Sequence, residues 1–515
     1  MFKIQGIRVV VLLVLFPILW SSCRKDFDYA PSTGNLEFSK DTVYLDTIFS
    51  AISSSTYSLK VYNRSKKDLN IPSIILKEGA SSSYRLNVDG VAGTIFMDIP
   101  ILAKDSLYIF IENTLNITGR AQNEFLSTDA IVFDSGDNLQ QVELVTLIKD
   151  AIFLYPEKFD NGTKESFLLP IENGSDSHVE GFFIPEEQLR FSNEKPYVIY
   201  GYAVVAPEKT LLIEAGTRVY FHKNSGIIIG KDSNLNINGA LSEDQELLEN
   251  EVIFEGDRLE PTYADIPGQW SSIWLTQESK DVAINYLTIK NATNGLIVDG
   301  NNTGSTPTLT IKNSQIYNSS NSNLWSRTGS IKGENLVLGN SGNSSLRCDL
   351  GGSYIFTHCT IANYFSKGFR LGPALQLSNY LILDSGEIIG NDLKKASFEN
   401  CIITGSGSNE LSLRSDSDAL FNFYFHHTLI TSNPNSQDQE NPNYDFNNHT
   451  IYNTIFLNQN PDFKGTSNNV FKIGSVSAGI GKADINKAIM VPLDILGFDR
   501  TDRPDLGAYQ FIEEN

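Results

Sequence analysis

The chain has 515 residues, four cysteines and a formal charge of −21, with 61 acidic against 40 basic side chains. That length accommodates two or three domains and a large core. The acidic excess argues against a nucleic-acid partner, whose phosphates need a basic footprint, and four cysteines are too few for a disulfide scaffold.

The first residues read as a leader. Lys3 and Arg8 make a short positive region, and residues 9–20 are an apolar run interrupted by Pro17. A membrane-spanning helix needs about 20 such residues, so residues 1–22 are expected to be a secretory signal peptide. Losing its two positive charges takes −21 to −23. Ser21-Ser22-Cys23 resembles the lipobox of bacterial lipoproteins, although Trp20 stands where an aliphatic residue is usual. The charged cluster from Arg24 to Asp28 resembles the surface-export signals of Bacteroidota lipoproteins. That resemblance implies a lipid on Cys23, a linker over 23–35 and an outer-membrane protein exposed at the cell surface.

Residues 36–154 predict a β-sandwich. Runs such as Ser106-Leu107-Tyr108-Ile109-Phe110-Ile111 alternate apolar with polar or aromatic residues. Turn formers such as Asp89-Gly90 and Ser135-Gly136-Asp137-Asn138 separate them. Several short strands in about 120 residues suggest an immunoglobulin-like fold. The stretch from Phe38 to Asn63, with Tyr84-Arg85-Leu86-Asn87-Val88-Asp89-Gly90, resembles the N-terminal domain of a Bacteroidota lipoprotein family. There this domain precedes a right-handed parallel β-helix. Its expected job is a spacer or an assembly surface.

Residues 155–195 read as linker and entry, and residues 196–490 as the β-helix. Residues 210–221 resemble an entry rung. A six-residue template then recurs: apolar, any, Asn or His, small or apolar, any, apolar. It appears as Ile311-Lys312-Asn313-Ser314-Gln315-Ile316 and again around His358, Asn400 and Asn453, with looser copies at Tyr286, Asn335, Asn379 and His427. Intervals of 21 to 27 residues mean a solenoid. With rungs about 4.8 Å apart this predicts about a dozen rungs, a rod on the order of 60 Å. Stacked amides at a turn can bond from coil to coil, and Asn tolerates the left-handed conformation.

The register assigns His358 and His427 to the ladder position and not to a metal or catalytic role. Cys359 and Cys401 share an inward column. With Tyr380 or a neighbour counted as a rung between them, they are expected two rungs apart, about 9–10 Å, beyond disulfide reach.

The same register predicts a stripe. Only four arginines fall between residues 270 and 490: Arg327, Arg347, Arg370 and Arg414. Leu324-Trp325-Ser326-Arg327, Leu346-Arg347-Cys348-Asp349, Phe369-Arg370-Leu371 and Leu411-Ser412-Leu413-Arg414 read as aligned strands. Leu324, Leu346, Phe369 and Leu411 then point inward. Trp325, Arg327, Arg347, Asp349, Arg370 and Arg414 face outward, with Asp299 one rung earlier. Guanidiniums at rung spacing beside a Trp suit an anionic polysaccharide, since Arg grips carboxylate or sulfate with two parallel bonds. Arg–Asp pairing across rungs, with Asp349 neutralising Arg347 or Arg370, is the structural alternative.

Three functions stay open: a polysaccharide binder, a lyase acting on uronate-containing glycans, and a structural or adhesion spacer. A lyase needs a base and positive charge against a developing enolate, and Arg347 or Arg370 supplies the charge. Asp299 and Asp349, expected near 10 Å apart over two rungs, fit a hydrolase poorly. No metal or cofactor is assigned, and Asp499, Asp502 and Asp505 lie beside Arg500 and Arg503. Finally, residues 496–510, with Leu496-Gly497-Phe498-Asp499-Arg500 and Arg503-Pro504-Asp505-Leu506-Gly507-Ala508-Tyr509-Gln510, resemble the terminal motif of choice-of-anchor Q β-helix surface proteins. Residues 491–515 are therefore expected to cap the last rung. That family is defined by architecture and implies no reaction.

Overall fold

The computed structural model describes residues 29–119, 122–170, 176–300, 307–383, 385–434 and 441–513. The expected signal peptide and Cys23 lie outside the described residues. The chain divides into two compact units, Met1–Lys149 and Asp150–Asn515.

The first unit is the predicted β-sandwich. A six-stranded and a five-stranded sheet carry it. Alternation shows strand by strand: in Ser106–Asn113, Leu107, Ile109 and Ile111 are buried while Tyr108 and Phe110 are exposed. Leu59, Val61, Ile71, Ile74, Leu86, Ile131 and Val142 complete the core. Each such burial contributes about 1.5–3 kcal/mol.

The second unit is the parallel β-helix. A typical coil has three strands, Leu309–Lys312, Gln315–Ser319 and Leu324–Arg327. The coil above repeats them as Ser330–Glu334, Val337–Ser341 and Leu346–Asp349. The three strands of each coil build three walls. The first two walls join at a tight corner within one 19-stranded sheet, and the third wall is a separate 10-stranded sheet. The helix begins before residue 196: Ile152–Leu154 already pairs in parallel with Tyr197–Ile199. Inward side chains fill a continuous core from Leu154 to Tyr452.

The corner between the first two walls carries the ladder. Tyr286, Asn313, Asn335, His358, Asn400, His427 and Thr454 all hold positive φ, from 46° to 58°. Asn335 Nδ2 donates to Asn313 Oδ1 at 2.9 Å, and Asn313 Nδ2 to Asn285 Oδ1 at 2.9 Å. Two expected positions are corrected. Residue 454 and not Asn453 holds the corner, because His426 pairs with Asn453. Asn379 belongs to the third wall's end, where its amide serves Asp416, Ala419 and Leu420. It opens an excursion that includes the hairpin Tyr380–Ile382 with Ile388–Gly390.

That excursion moves the cysteines. Thr357 pairs directly with Glu399, so Cys359 and Cys401 sit on adjacent rungs, not two apart. Both are free and fully buried, and burial pushes the Cys401 thiol well up.

His358 takes the ladder role expected of it: it is fully buried, and its Nε2 lies 2.9 Å from Asn400 Nδ2. Burial, then the charge of Arg500, holds its pKa well below the ordinary 6.5. The unfolded chain protonates near 6.5, so this contribution to stability is full above that pH and drains as pH falls below it. Asp494 and Asp505 also flank Arg500, and burial raises both carboxyls, adding the opposite slope at lower pH. His358→Asn, which suits the corner, is expected to flatten the fall in urea midpoint between about pH 7 and pH 5.5. Equal slopes in both proteins would refute this role.

The C-terminal segment covers a flank, the outer face of the second wall as far as Phe456 of the last rung. Arg500, almost fully buried, inserts at the ladder and donates to Asn335 Oδ1, Gly507 O and Ala508 O at 3.1–3.2 Å. Ala508 N donates to Thr360 Oγ1 and Tyr509 Oη to Gln315 Oε1. Leu506, Ala508 and Tyr509 bury outward residues of the second wall, including Val337, Ala362, Ile402 and Leu429. The outer face of that wall is apolar in these rungs, so a flank needs covering more than an end does.

Candidate functional site

The third wall positions the stripe. Leu296, Leu324, Leu346, Leu375 and Leu411 stack in register at the head of its strands, all fully buried. Alternation sends the second and fourth residue of each strand outward. One outward row reads Trp274, Ile297, Trp325, Arg347, Gln376, Ser412. Beside it run Asp299, Arg327, Asp349, Ser378 and Arg414.

Six of the seven expected residues therefore share this face, and Arg370 does not. The strand after Leu346–Asp349 is Leu375–Ser378, not Phe369-Arg370-Leu371. The corner before it is longer than in the preceding coils, and Leu375-Gln376-Leu377 offers the same alternation a few residues later. Phe369, expected inside, is 94% exposed. Arg370 instead folds back: it donates to Asn363 O, to Ser406 Oγ at 3.3 Å and to Glu410 Oε1 at 2.9 Å.

Two Trp–Asp–Arg groups build the face. Trp274 Nε1 donates to Asp299 Oδ2 at 2.8 Å, and Arg327 grips the same carboxylate through Nε at 2.6 Å and Nη2 at 2.7 Å. Trp325 Nε1 donates to Asp349 Oδ2 at 3.1 Å, and Gln376 Nε2 to Asp349 Oδ1 at 2.9 Å. Arg347 Nε lies 2.6 Å from Asp349 Oδ2 without aiming its N–H there. The guanidiniums of Arg327 and Arg347 stand 4.8 and 4.9 Å from the Trp325 ring centre. Indole faces and guanidinium planes thus form a partly exposed platform, with Asp349 sealed beneath at 1% exposure.

The structural alternative is realised twice: Arg327 pairs with Asp299 across rungs, and Asp349 neutralises Arg347 at 2.6 Å. Arg347 differs in its outer nitrogens. Among the described residues, no protein hydrogen bond engages its Nη nitrogens, and its side chain keeps 24% exposure. Arg414 is exposed, with no ion pair among the described residues. The outward positions from Leu296 to Arg414 carry no His, Lys, Tyr or Glu. Both aspartates are already engaged as acceptors.

Sequence reasoning missed Trp274, Gln376 and Glu410. Counting one rung back from Ile297 reaches Trp274, so its signal was present. Gln376 was hidden by the misplaced rung, and nothing local marks Glu410 as buried. Titratable groups also pair on the second wall, where His222 Nδ1 lies 2.7 Å from Asp257 Oδ2 and Lys290 Nζ 2.6 Å from Glu255 Oε2.

No protein-family model and no curated protein matches the chain. Among solved structures, a family 123 glycoside hydrolase from Clostridium perfringens aligns at 6% identity and TM-score 0.16, over 24% of this chain and 30% of its own. The periplasmic chaperone SfaE aligns at 14% identity and TM-score 0.16, over 22% of this chain and 57% of its own. The catalytic unit of a GH87 α-1,3-glucanase from Streptomyces thermodiastaticus aligns at 11% identity and TM-score 0.18, over 72% of this chain and 77% of its own. Likeness at those TM-scores carries no functional inference, which leaves the wall's own geometry.

Proposed function

We propose that the chain is a lipid-anchored cell-surface protein, attached through Cys23, whose β-helix binds an anionic polysaccharide along the third wall. The observation that carries this reading is Arg347: its Nη nitrogens have no protein hydrogen bond among the described residues, and it flanks the Trp325 ring. Although Asp349 pairs with its Nε, those Nη nitrogens can donate to a carboxylate or sulfate, while the indole offers an apolar face to a sugar ring. Arg414 projects two rungs further on, about 10 Å away, close to the length of a disaccharide. Ser412, half-buried between them in the same outward row, adds a hydroxyl.

Arg327 and Arg370 contribute framework and not recognition, because their Nη nitrogens already donate within the protein, to Asp299 and to Asn363 O and Glu410. That observation favours the spacer reading for those two positions alone. The lyase reading lacks an unengaged base on this wall.

Affinity electrophoresis in gels containing polygalacturonate, chondroitin sulfate or neutral dextran tests the proposal. Retention by at least one anionic polymer is expected, weakening with salt, and Arg347→Ala with Arg414→Ala is expected to abolish it. Unchanged retention in the double variant would sink the stripe as the binding surface.

A further inference from the structure

The corner misread from sequence has a built form of its own. Residues 364–374 connect the second wall to the third, directly before Leu375–Ser378. Glu410, fully buried, clamps them: Oε1 accepts from Arg370 Nη2 at 2.9 Å and Gly407 N at 2.5 Å, and Oε2 from Ala374 N at 2.8 Å. Leu371 N donates to Gly342 O at 2.7 Å, fixing the loop onto the corner that leads into Arg347. So held, the loop presents Phe369 at 94% and Leu371 at 82% exposure. Two large apolar side chains projecting from an anchored loop mark a contact surface.

Opposite stands the corner loop 258–268. Asn291 Nδ2 and Asn318 Nδ2 donate to Ala264 O and Asp265 O, at 2.7 and 3.0 Å, and hold it down. Between the two loops lies a cavity of about 370 Å³, lined by Pro261, Thr262, Asp265, Ile266, Pro267 and Lys367. Its lining balances one carboxylate against one ammonium beside apolar faces. A hydroxylated, uncharged ring suits that lining: hydroxyls can donate to Asp265 and accept from Lys367, and the apolar faces take its C–H side.

We propose that this cleft, at the corner leading into the third wall, is a second subsite and seats an uncharged sugar of the polymer whose anionic sugars Arg347 and Arg414 engage. The inference rests on the binding function proposed above. What it adds is the ligand class, a heteropolysaccharide with both charged and neutral sugars, and the residues that read the neutral one. Its occupant follows from continuity: the clamped loop packs on Gly342, in the corner that runs directly into Leu346–Asp349.

The test compares chondroitin sulfate, which alternates uronate with an N-acetylated hexosamine, with polygalacturonate, in which every sugar is a uronate. Wild type is expected to hold chondroitin sulfate more tightly. Ile266→Ala, a surface change that removes an apolar face of the lining, is expected to weaken that affinity about tenfold while leaving polygalacturonate binding within twofold. Lys367→Ala is expected to act in the same direction. If wild type binds and loses affinity on Arg347→Ala, yet the loop variants bind chondroitin sulfate as wild type does, the subsite is wrong and the wall stands. If wild type retains neither polymer, both proposals fall. Equal losses on both polymers would overturn the neutral-sugar assignment.

Discussion

Phe398→Ala is expected to cost the β-helix about 3–5 kcal/mol. Phe398 is fully buried, with its ring 5.4 Å from Phe356 and 5.1 Å from Phe425, nearly parallel to both. Phe425 continues the stack to Tyr452 at 5.5 Å. Truncation removes the middle of this column, and the hydrogen-bonded register above and below keeps the neighbours from closing in. Phe398→Leu keeps most of the volume and is expected to cost less than about 1.5 kcal/mol. Urea denaturation gives the magnitude. Because each coil leans on its neighbours, hydrogen exchange should quicken first in Gly352–Thr357 and Phe421–Ile430. A loss under about 1 kcal/mol, below the range for such truncations, would mean that the aromatic column is not the core element it is taken to be.

Glu410→Ala is expected to destabilise by about 3 kcal/mol, the range for removing one partner of a buried pair. The change strands the Arg370 guanidinium and the amides of Gly407 and Ala374. Burial raises the pKa of Glu410 against the pull of Arg370, so the intact clamp is worth less than its loss costs. Limited trypsin digestion checks the local consequence: cleavage after Lys367 and Arg370 should accelerate in the variant. Cleavage at the wild-type rate, with an unchanged urea midpoint, would show that the loop is held by something else.

How far the sequence was legible follows from what each signal encodes. Alternation and template spacing report the wall a residue belongs to, so Trp325, Arg327, Arg347, Asp349, Asp299 and Arg414 were found. They do not report corner length. A fixed 12-residue step put Phe369 inside, whereas the clamped corner turns it into solvent and brings Leu375 to the core. The same assumption counted Asn379 as a rung and set Cys359 and Cys401 too far apart. Buried partners also leave no local trace. Glu410 is distant in sequence from Arg370, and Arg500 is more distant still from Asn335, so neither the loop clamp nor the flank docking of residues 491–513 shows in composition or period. The charge count conceals most: an acidic chain carries a wall on which three guanidiniums meet two carboxylates, and Arg347 has Nη nitrogens to spare.

Tryptophan emission reports on that wall most directly. Of the four tryptophans, Trp20 lies in the predicted leader, Trp270 is buried in the core, and Trp274 and Trp325 stand on the platform. Titrating the mature protein with the polymer it retains is expected to shift or quench the emission with a midpoint matching retention. Trp325→Phe should remove most of that signal, and Arg347→Ala with Arg414→Ala should abolish it. Retention of a polysaccharide with no change in emission at saturation would contradict binding along the third wall.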